Sequence, residues 1–198
     1  MISISKLSKS NISEVVSLHY DSFKGFFLTS LGKPFLALFY NAILLHEDGI
    51  CIGVFDNEKL IGFAIGTTNN SGFYTTILKK NYLKMIWMAF PNLIFKPLNI
   101  KRLISSLVTS HKSNYKNIPT LLSICVSSRQ ESKGIGRKLL EAFENELSNS
   151  GFKELILTTD FDNNEYVNEF YSRNNYSCVQ SFFQGNRKMN LYYKKLKI

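Results

Sequence analysis

The spacing of hydrophobic positions changes once within residues 121–146, and that change separates two elements. Leu121, Leu122, Ile124 and Val126 form an apolar run with no charged residue before Arg129, which predicts a strand. After a polar loop, Leu139, Leu140, Phe143 and Leu147 recur at helical spacing, with Glu141, Glu144 and Glu146 off the stripe. That pattern predicts an amphipathic helix starting near Gly136. Upstream, residues 1–7 alternate apolar and polar as an opening strand does. Asn11, with Glu14 three residues on, predicts the capped start of a helix carrying Ile12, Val15, Val16 and His19. Residues 25–30 read as a break. Pro34 suits the first turn of a second helix, with Phe35, Leu38, Phe39, Ala42 and Leu45 on its apolar face. Two apolar strands, 50–55 and 60–67, flank Asp56-Asn57-Glu58-Lys59, a hairpin signal. Downstream come a strand over 155–159, a polar loop, a helix from Asn164, and a closing hairpin of strands 177–183 and 189–196.

At 198 residues the chain suits one domain with an elaboration, and a 44% apolar content argues against disorder. The net charge of +9 is unevenly spread, since residues 73–118 hold eight Lys or Arg and no acid. Two helices are predicted there, one stopped by Pro91 and one after Pro97, each apolar on one face and basic elsewhere. Such a segment packs as a flap with a solvated rim, or serves as a lid or surface that favours anionic substrates or a membrane. It matches no nucleic-acid-binding motif, so no nucleic acid is expected as a partner. Cys51, Cys125 and Cys178 lack CxxC spacing, and the first two lie in apolar runs, which predicts buried free thiols in a reducing compartment. His19, His46 and His111 are scattered, so no metal site is expected. With no apolar run near the length of a membrane span and no signal-peptide pattern, a cytoplasmic location is expected.

The candidate chemistry lies in the loop before the Gly136 helix. Gly134 and Gly136 let backbone N–H groups face outward with no side chain in the way. Those donors and the positive end of the helix dipole suit phosphate, and Lys133, Arg137 and Lys138 add charge. The P-loop spacing is absent. The dinucleotide fingerprint also fails, because Leu139 stands where its third glycine belongs.

Val126, Ser128, Gly134 and Gly136, followed by Leu139-Leu140, resemble the acetyl-CoA motif of the GNAT N-acetyltransferases, Val-x-Pro-x-x-Gln/Arg-x-x-Gly-x-Gly/Ala. Ser128 replaces the usual Pro, and Glu131 stands where Gln or Arg is expected, beside Arg129 and Gln130. Downstream, Asn164 to Tyr171 resembles the family's Asn-x-x-Ala-x-x-x-Tyr, with Asn174-Asn175-Tyr176 where Gly-Phe usually closes it. The resemblance covers residues 119–185 well and 1–72 loosely.

The resemblance implies a GNAT-like α/β (α+β) fold with a mixed, mainly antiparallel central sheet and flanking helices. It implies a single domain over 1–198 with 73–118 as a basic helical insertion. It further implies acetyl-CoA as co-substrate and no metal. Ile124 and Val126 would bind the pantetheine arm. Glu131, Ser132, Lys133, Gly134, Ile135, Gly136 and Arg137 would hold the pyrophosphate, Asn164 would contact the cofactor arm, and Tyr171 would protonate the departing thiolate. Tyr20, Phe23, Phe26 and Phe27 are candidates for lining the acceptor cleft. No general base is identified; Ser123 and Asp160 lie near strand positions where the family sometimes keeps a base or an ordered water. The implied activity is N-acetylation of a small amine, with an amino sugar suggested by the basic segment. A protein or peptide acetyltransferase and a non-catalytic acyl-CoA sensor are the alternatives, and a homodimer stays open.

Overall fold

The computed structural model describes residues 1–73, 76, 77, 84, 87, 88, 115, 117–130 and 133–197. Within them lie strands β1 (Ile2–Lys6), β2 (Gly49–Asp56), β3 (Lys59–Thr67), β4 (Thr120–Val126), β5 (Glu154–Asp160), β6 (Ser177–Gln184) and β7 (Arg187–Lys195). These form one sheet in the order β1-β2-β3-β4-β5-β7-β6. Every pair is antiparallel except β4 with β5. The helices are α1 (Ile12–Ser22), α2 (Phe27–Ser30), α3 (Lys33–Leu44), α4 (Ile135–Asn149) and α5 (Glu165–Arg173). This is the mixed α/β architecture that the resemblance implied.

Alternation along the central strands explains how both faces are covered. Cys51 and Phe55 of β2 and Phe63 and Ile65 of β3 join α1 and α3 in one core. Ile50, Ile52 and Val54, with Ile61 and Ala64, join α4 and α5 in the other. Residues of both parities are therefore apolar, which is why these strands read as continuous apolar runs. In α4, Leu139, Leu140, Phe143 and Leu147 are all buried, as their spacing predicts. Phe143 sits so close to the sheet that a Cβ on Gly66 would lie 2.4 Å from its ring and 2.4 Å from the Thr120 carbonyl oxygen. Only glycine fits there. Glu144, also on α4, accepts hydrogen bonds from Lys194 Nζ at 2.8 and 2.7 Å and from the Tyr176 hydroxyl at 2.7 Å. The helix is thereby pinned to β7. Burial and the Glu144 carboxylate push the Tyr176 phenol well above its ordinary value, so it stays a donor.

The Asp56–Lys59 hairpin forms with Asn57 (φ 46°) and Glu58 (φ 68°) both left-handed, the geometry of a tight two-residue turn. Several local expectations differ from the structure. The Asn11 side chain does not cap α1; its Oδ1 accepts from Ser8 N at 2.9 Å. Glu14 instead accepts from the Leu60 amide at 3.1 Å, tying α1 to β3. The buried face of α3 is Phe35, Leu36, Phe39, Tyr40 and Ile43, so Leu38 and Ala42 are only partly covered and Leu45 is exposed. In β1 the apolar Ile2 and Ile4 remain exposed, because this strand pairs at one edge of the sheet. The break at residues 25–30 contains the single turn of α2.

The basic insertion over 73–118 lies mostly outside the described residues; of those described, Phe73 and Ile77 join the α1/α3 core. No described helix is long and apolar enough to cross a membrane. Cys51 and Cys125 are buried free thiols, each pushed up to about 12 by burial, whereas Cys178 is exposed on β6. The folded protein is expected to take up one equivalent of a thiol-alkylating reagent, at Cys178, and three after denaturation. Peptide mapping after native labelling checks this; modification of Cys51 or Cys125 at a similar rate would contradict the packing.

Candidate active site

The site begins where β4 and β5 part. Their parallel pairing consists of Thr120↔Ile156 and Leu121↔Leu157 and stops there. Beyond that point β4 stays with β3 as far as Val126↔Gly62, and β5 stays with β7 as far as Asp160↔Met189. Each strand is held from its outer side, so the pair opens like a V and its inner edges lack a strand partner. A cleft of 1730 Å³ occupies this opening. It exceeds the usual size of a small-molecule pocket and suits a long ligand.

A bulge in β4 sits at the mouth of the V. The register steps from Ile65↔Ser123 to Gly66↔Leu121, leaving Leu122 as the extra residue. Leu121 and Ile124 contact the α4 side, whereas Leu122 packs with the α1/α3 core and Ser123 lies 3.4 Å from Tyr40 of α3. Two successive side chains thus face the same layer. Without the extra residue, strict alternation would turn Ser123 the other way.

At the far end of β4 the chain makes a turn at Ser128–Gln130 and enters α4. The N-cap of α4 is Gly134, left-handed at φ 72°, with nothing within 4 Å of where a Cβ would stand. Its carbonyl accepts from Lys138 N at 3.1 Å, while the preceding amides of the first turn have no intrahelical partner. No acidic residue occupies that turn. Gly136 is half-buried, and a Cβ there would make ordinary contacts with the Phe170 ring, at 3.6 Å, and Val126 Cγ2, at 3.9 Å. Free amides at the positive end of a 15-residue helix, opening on the V, form an anion cradle.

Ile124, Val126, Gly134, Ile135, Gly136, Arg137, Asn164 and Tyr171 all line the one cleft. Lys133 is near it, but its ammonium donates to Gln130 Oε1 at 2.9 Å. Arg137 is turned toward Glu141 in an exposed pair, Nε to Oε1 2.8 Å. Glu131 and Ser132 lie outside the described residues. The Asn164 amide is committed to the protein, donating to Thr159 Oγ1 at 2.8 Å and to the Asp160 carbonyl at 3.0 Å. It fixes the β5–α5 junction, leaving its side-chain oxygen as the group free to accept.

Tyr171 is 5% exposed and packed among Phe170, Tyr176 and Tyr192. Its hydroxyl makes no hydrogen bond to any described residue. Burial, with a smaller contribution from Tyr192, raises its pKa far above the ordinary phenol value, so the group is protonated at neutral pH. A buried phenol with a spare proton at a cleft wall can donate to a ligand atom.

Across the V, Phe23, Phe26 and Phe27 line the cleft, and Tyr20 does not. Arg187 of β7 stands over the Phe26 ring, 5.6 Å from its centroid, and grips both Asp160 oxygens at 2.9 and 2.5 Å. That pair closes one end of the mouth and leaves the Asp160 carboxylate satisfied. His19 and Tyr40 also line the cleft. The sequence marks His19 only as one position on an apolar helix face. A histidine between Val15, Val16 and the next helix is itself a signal of a buried polar partner, because an imidazole on such a face needs one. Tyr40 gives no signal of its own. No group of three His, Cys, Asp or Glu side chains that could hold a metal occurs among the described residues.

Residues 99–176 match the family described as "Acetyltransferase (GNAT) family". No curated protein sequence matches the chain. Solved structures resemble it over their full length. An N-acetyltransferase from Staphylococcus aureus Mu50 aligns with a TM-score of 0.63 at 13% identity, covering 100% of this chain and 99% of that one. The ribosomal-protein-S18-alanine N-acetyltransferase from Escherichia coli gives 0.60 at 15% identity, covering 100% and 96%. PaiA N-acetyltransferase from Thermoplasma acidophilum, in complex with coenzyme A, gives 0.59 at 16% identity, covering 98% and 99%. At such identities these likenesses establish the fold, and the sequence match spans β4, α4, β5 and α5. The whole chain has the fold of the GNAT acetyltransferases, and its residues 99–176 match that family.

Proposed function

We propose that this protein transfers the acetyl group of acetyl-CoA to the primary amine of a small molecule in the cytoplasm. The observation that carries the reading is the V between β4 and β5, with the α4 amides at one end and Tyr171 on its wall. The residues present fit the donor: the cradle is open at Gly134, its first turn carries no acid, and the inner edge of β4 offers unpaired backbone groups to an extended amide arm. Acetyl-CoA, when bound, supplies the reactive acyl thioester.

The chain's own groups then have separate tasks. The amides of residues 135–137 hold the pyrophosphate, with Lys138 and Arg137 adding long-range charge. The unpaired edge of β4, at Ile124 and Val126, orients the pantetheine. The Asn164 oxygen accepts from the cofactor arm. Tyr171 donates its proton to the departing sulfur, a role that its burial and its missing partner suit. For the acceptor, the aromatic wall of Phe23, Phe26 and Phe27 offers flat apolar surface to a sugar ring. The basic segment 73–118 adds a positive field that favours an anionic, nucleotide- or lipid-linked amino sugar.

The test is a CoA-thiol release assay with acetyl-CoA and a panel of amines that includes glucosamine and its phosphate. Release that rises with the amine, with the acetylated amine found by mass spectrometry, is the expected outcome. Binding of acetyl-CoA with no acetylated product from any amine would contradict the reading and favour a sensor.

A further inference from the structure

The hairpin that ends the sheet carries an arginine to the aromatic wall of the cleft. β6 and β7 meet at Gln184↔Arg187 around Gly185-Asn186, and Gly185 takes the positive φ, 61°, that such a turn needs at its first central position. Arg187 is thereby the first residue of β7. Further along, Met189 pairs with Asp160, the last residue of β5, so Arg187 stands diagonally across from Asp160 on the same face of the sheet. A long side chain spans that diagonal, and Arg187 Nε and Nη2 donate to Asp160 Oδ1 and Oδ2 at 2.9 and 2.5 Å. Phe26, just before α2, lies against the guanidinium, with Cζ 5.6 Å from its ring centroid. Arg187, Asp160, Met189, Phe23 and Phe26 all line the cleft.

The Asp160 pair leaves part of the guanidinium unused. A guanidinium has five N–H groups and no acceptor. The carboxylate takes the side-on edge, formed by Nε and Nη2. The end-on fork, one N–H from each terminal nitrogen, has no partner among the described residues. Asp160 holds the group by its edge and Phe26 by its face, so little freedom remains for a ligand to remove. The side chain is still 43% exposed, so a ligand can reach the fork. Two parallel donors of this kind match the oxygens of a phosphate or a carboxylate. Lys24, exposed in the turn that joins Phe23 to Phe26 and without a partner among the described residues, adds a second cation to the cleft lining. Of the acids that line the cleft, Asp160 is engaged by Arg187, Glu169 by Arg173, Asp56 by the N-terminal ammonium and Glu14 by the Leu60 amide, while Asp21 is exposed to water.

We propose that Arg187 determines which amine is acetylated, its end-on fork binding an oxyanion, phosphate or carboxylate, that the acceptor carries. The proposal rests on the acetyltransferase reading and names the group by which the acceptor is chosen. The Phe23 and Phe26 rings, 5.5 Å apart and at 77° to each other, supply apolar surface for the body of the substrate beside the fork. Asp160 is a positioning residue that fixes the guanidinium. An amine without an anion leaves the fork hydrated, so the discrimination comes from what the anionic acceptor gains. The basic segment 73–118 attracts anions from a distance, whereas the fork selects by geometry, and a change at Arg187 separates the two.

The test compares three acceptors that share one amine: glucosamine, glucosamine 6-phosphate and muramic acid, the last two carrying a phosphate and a carboxylate. Thiol release at saturating acetyl-CoA gives kcat and KM for each. The parent is expected to prefer at least one anionic sugar over glucosamine by roughly 10–100-fold in kcat/KM, the worth of a charge-assisted fork. Which anionic sugar it prefers distinguishes phosphate from carboxylate. In Arg187→Gln the preference should disappear through a rise in KM, with kcat for the anionic sugar within about threefold of the parent. Equal kcat/KM for all three sugars in the parent overturns the proposal and leaves the acetyltransferase reading intact. A preference that survives in Arg187→Gln does the same. The first comparison uses the parent alone, so it decides even if the variant does not fold. A parent that binds acetyl-CoA yet acetylates none of the three overturns both.

Discussion

Tyr171→Phe is expected to lower kcat by about 10²–10³-fold while leaving the fold and acetyl-CoA affinity unchanged. The ring is enclosed by Phe170, Tyr176 and Tyr192, and phenylalanine fills the same space. The oxygen has no hydrogen-bond partner among the described residues, so removing it deletes a buried polar group that gains nothing from the protein. Stability should therefore hold or rise slightly. The lost group is a buried proton donor of the cleft wall that burial keeps protonated well into alkaline pH. A rate loss with unaltered thermal stability identifies a chemical role. If kcat is unchanged, the proton for the thiolate comes from elsewhere. If the variant unfolds early, Tyr171 is core.

The second large effect is expected at Gly134. Gly134→Glu should weaken acetyl-CoA binding roughly 100-fold, about 2.7 kcal/mol, by placing a carboxylate beside the phosphates. Gly134→Ala separates charge from geometry. Alanine at φ 72° costs about 1–2 kcal/mol of backbone strain but meets nothing within 4 Å, so it should destabilise modestly and keep most of the affinity. Calorimetric titration with acetyl-CoA and thermal unfolding of both variants measure the two effects. Equal loss of affinity in both would mean that the cradle depends on the left-handed turn; no loss in either would place the phosphates elsewhere.

The parts of this structure that repeat locally are those that the sequence discloses. The α4 stripe is legible because 3.6-residue periodicity and burial coincide at Leu139, Leu140, Phe143 and Leu147. The Asp56–Lys59 turn is legible because residues tolerant of positive φ interrupt two apolar runs. The face of α3 is not, because Leu36, Leu38, Tyr40, Ala42 and Ile43 are similarly apolar and the choice among them is made by packing against α1 and the sheet. Glu14 looked like a capping residue, yet its partner is the Leu60 amide, 46 positions away. Gly134, Gly136 and Tyr171 could be singled out because their spacing resembles a family's, and all three line one cleft. Ser123 is marked by the resemblance as well, but its contact with Tyr40, and that of Tyr40 with His19, could not be read, since they span 83 and 21 positions and the first depends on a bulge that no periodicity announces.

The central claim is that the V between β4 and β5 holds acetyl-CoA with its phosphates on the α4 N-terminus. The most direct measurement is the unfolding temperature with and without millimolar acetyl-CoA, for the parent and for Gly134→Glu. At about 100 times Kd the ligand adds roughly 2.7 kcal/mol, which for a domain of this size raises the unfolding temperature by roughly 5–10 °C. The account predicts that rise in the parent and its loss in Gly134→Glu. An unmoved transition in the parent, or the same rise in both proteins, would contradict it.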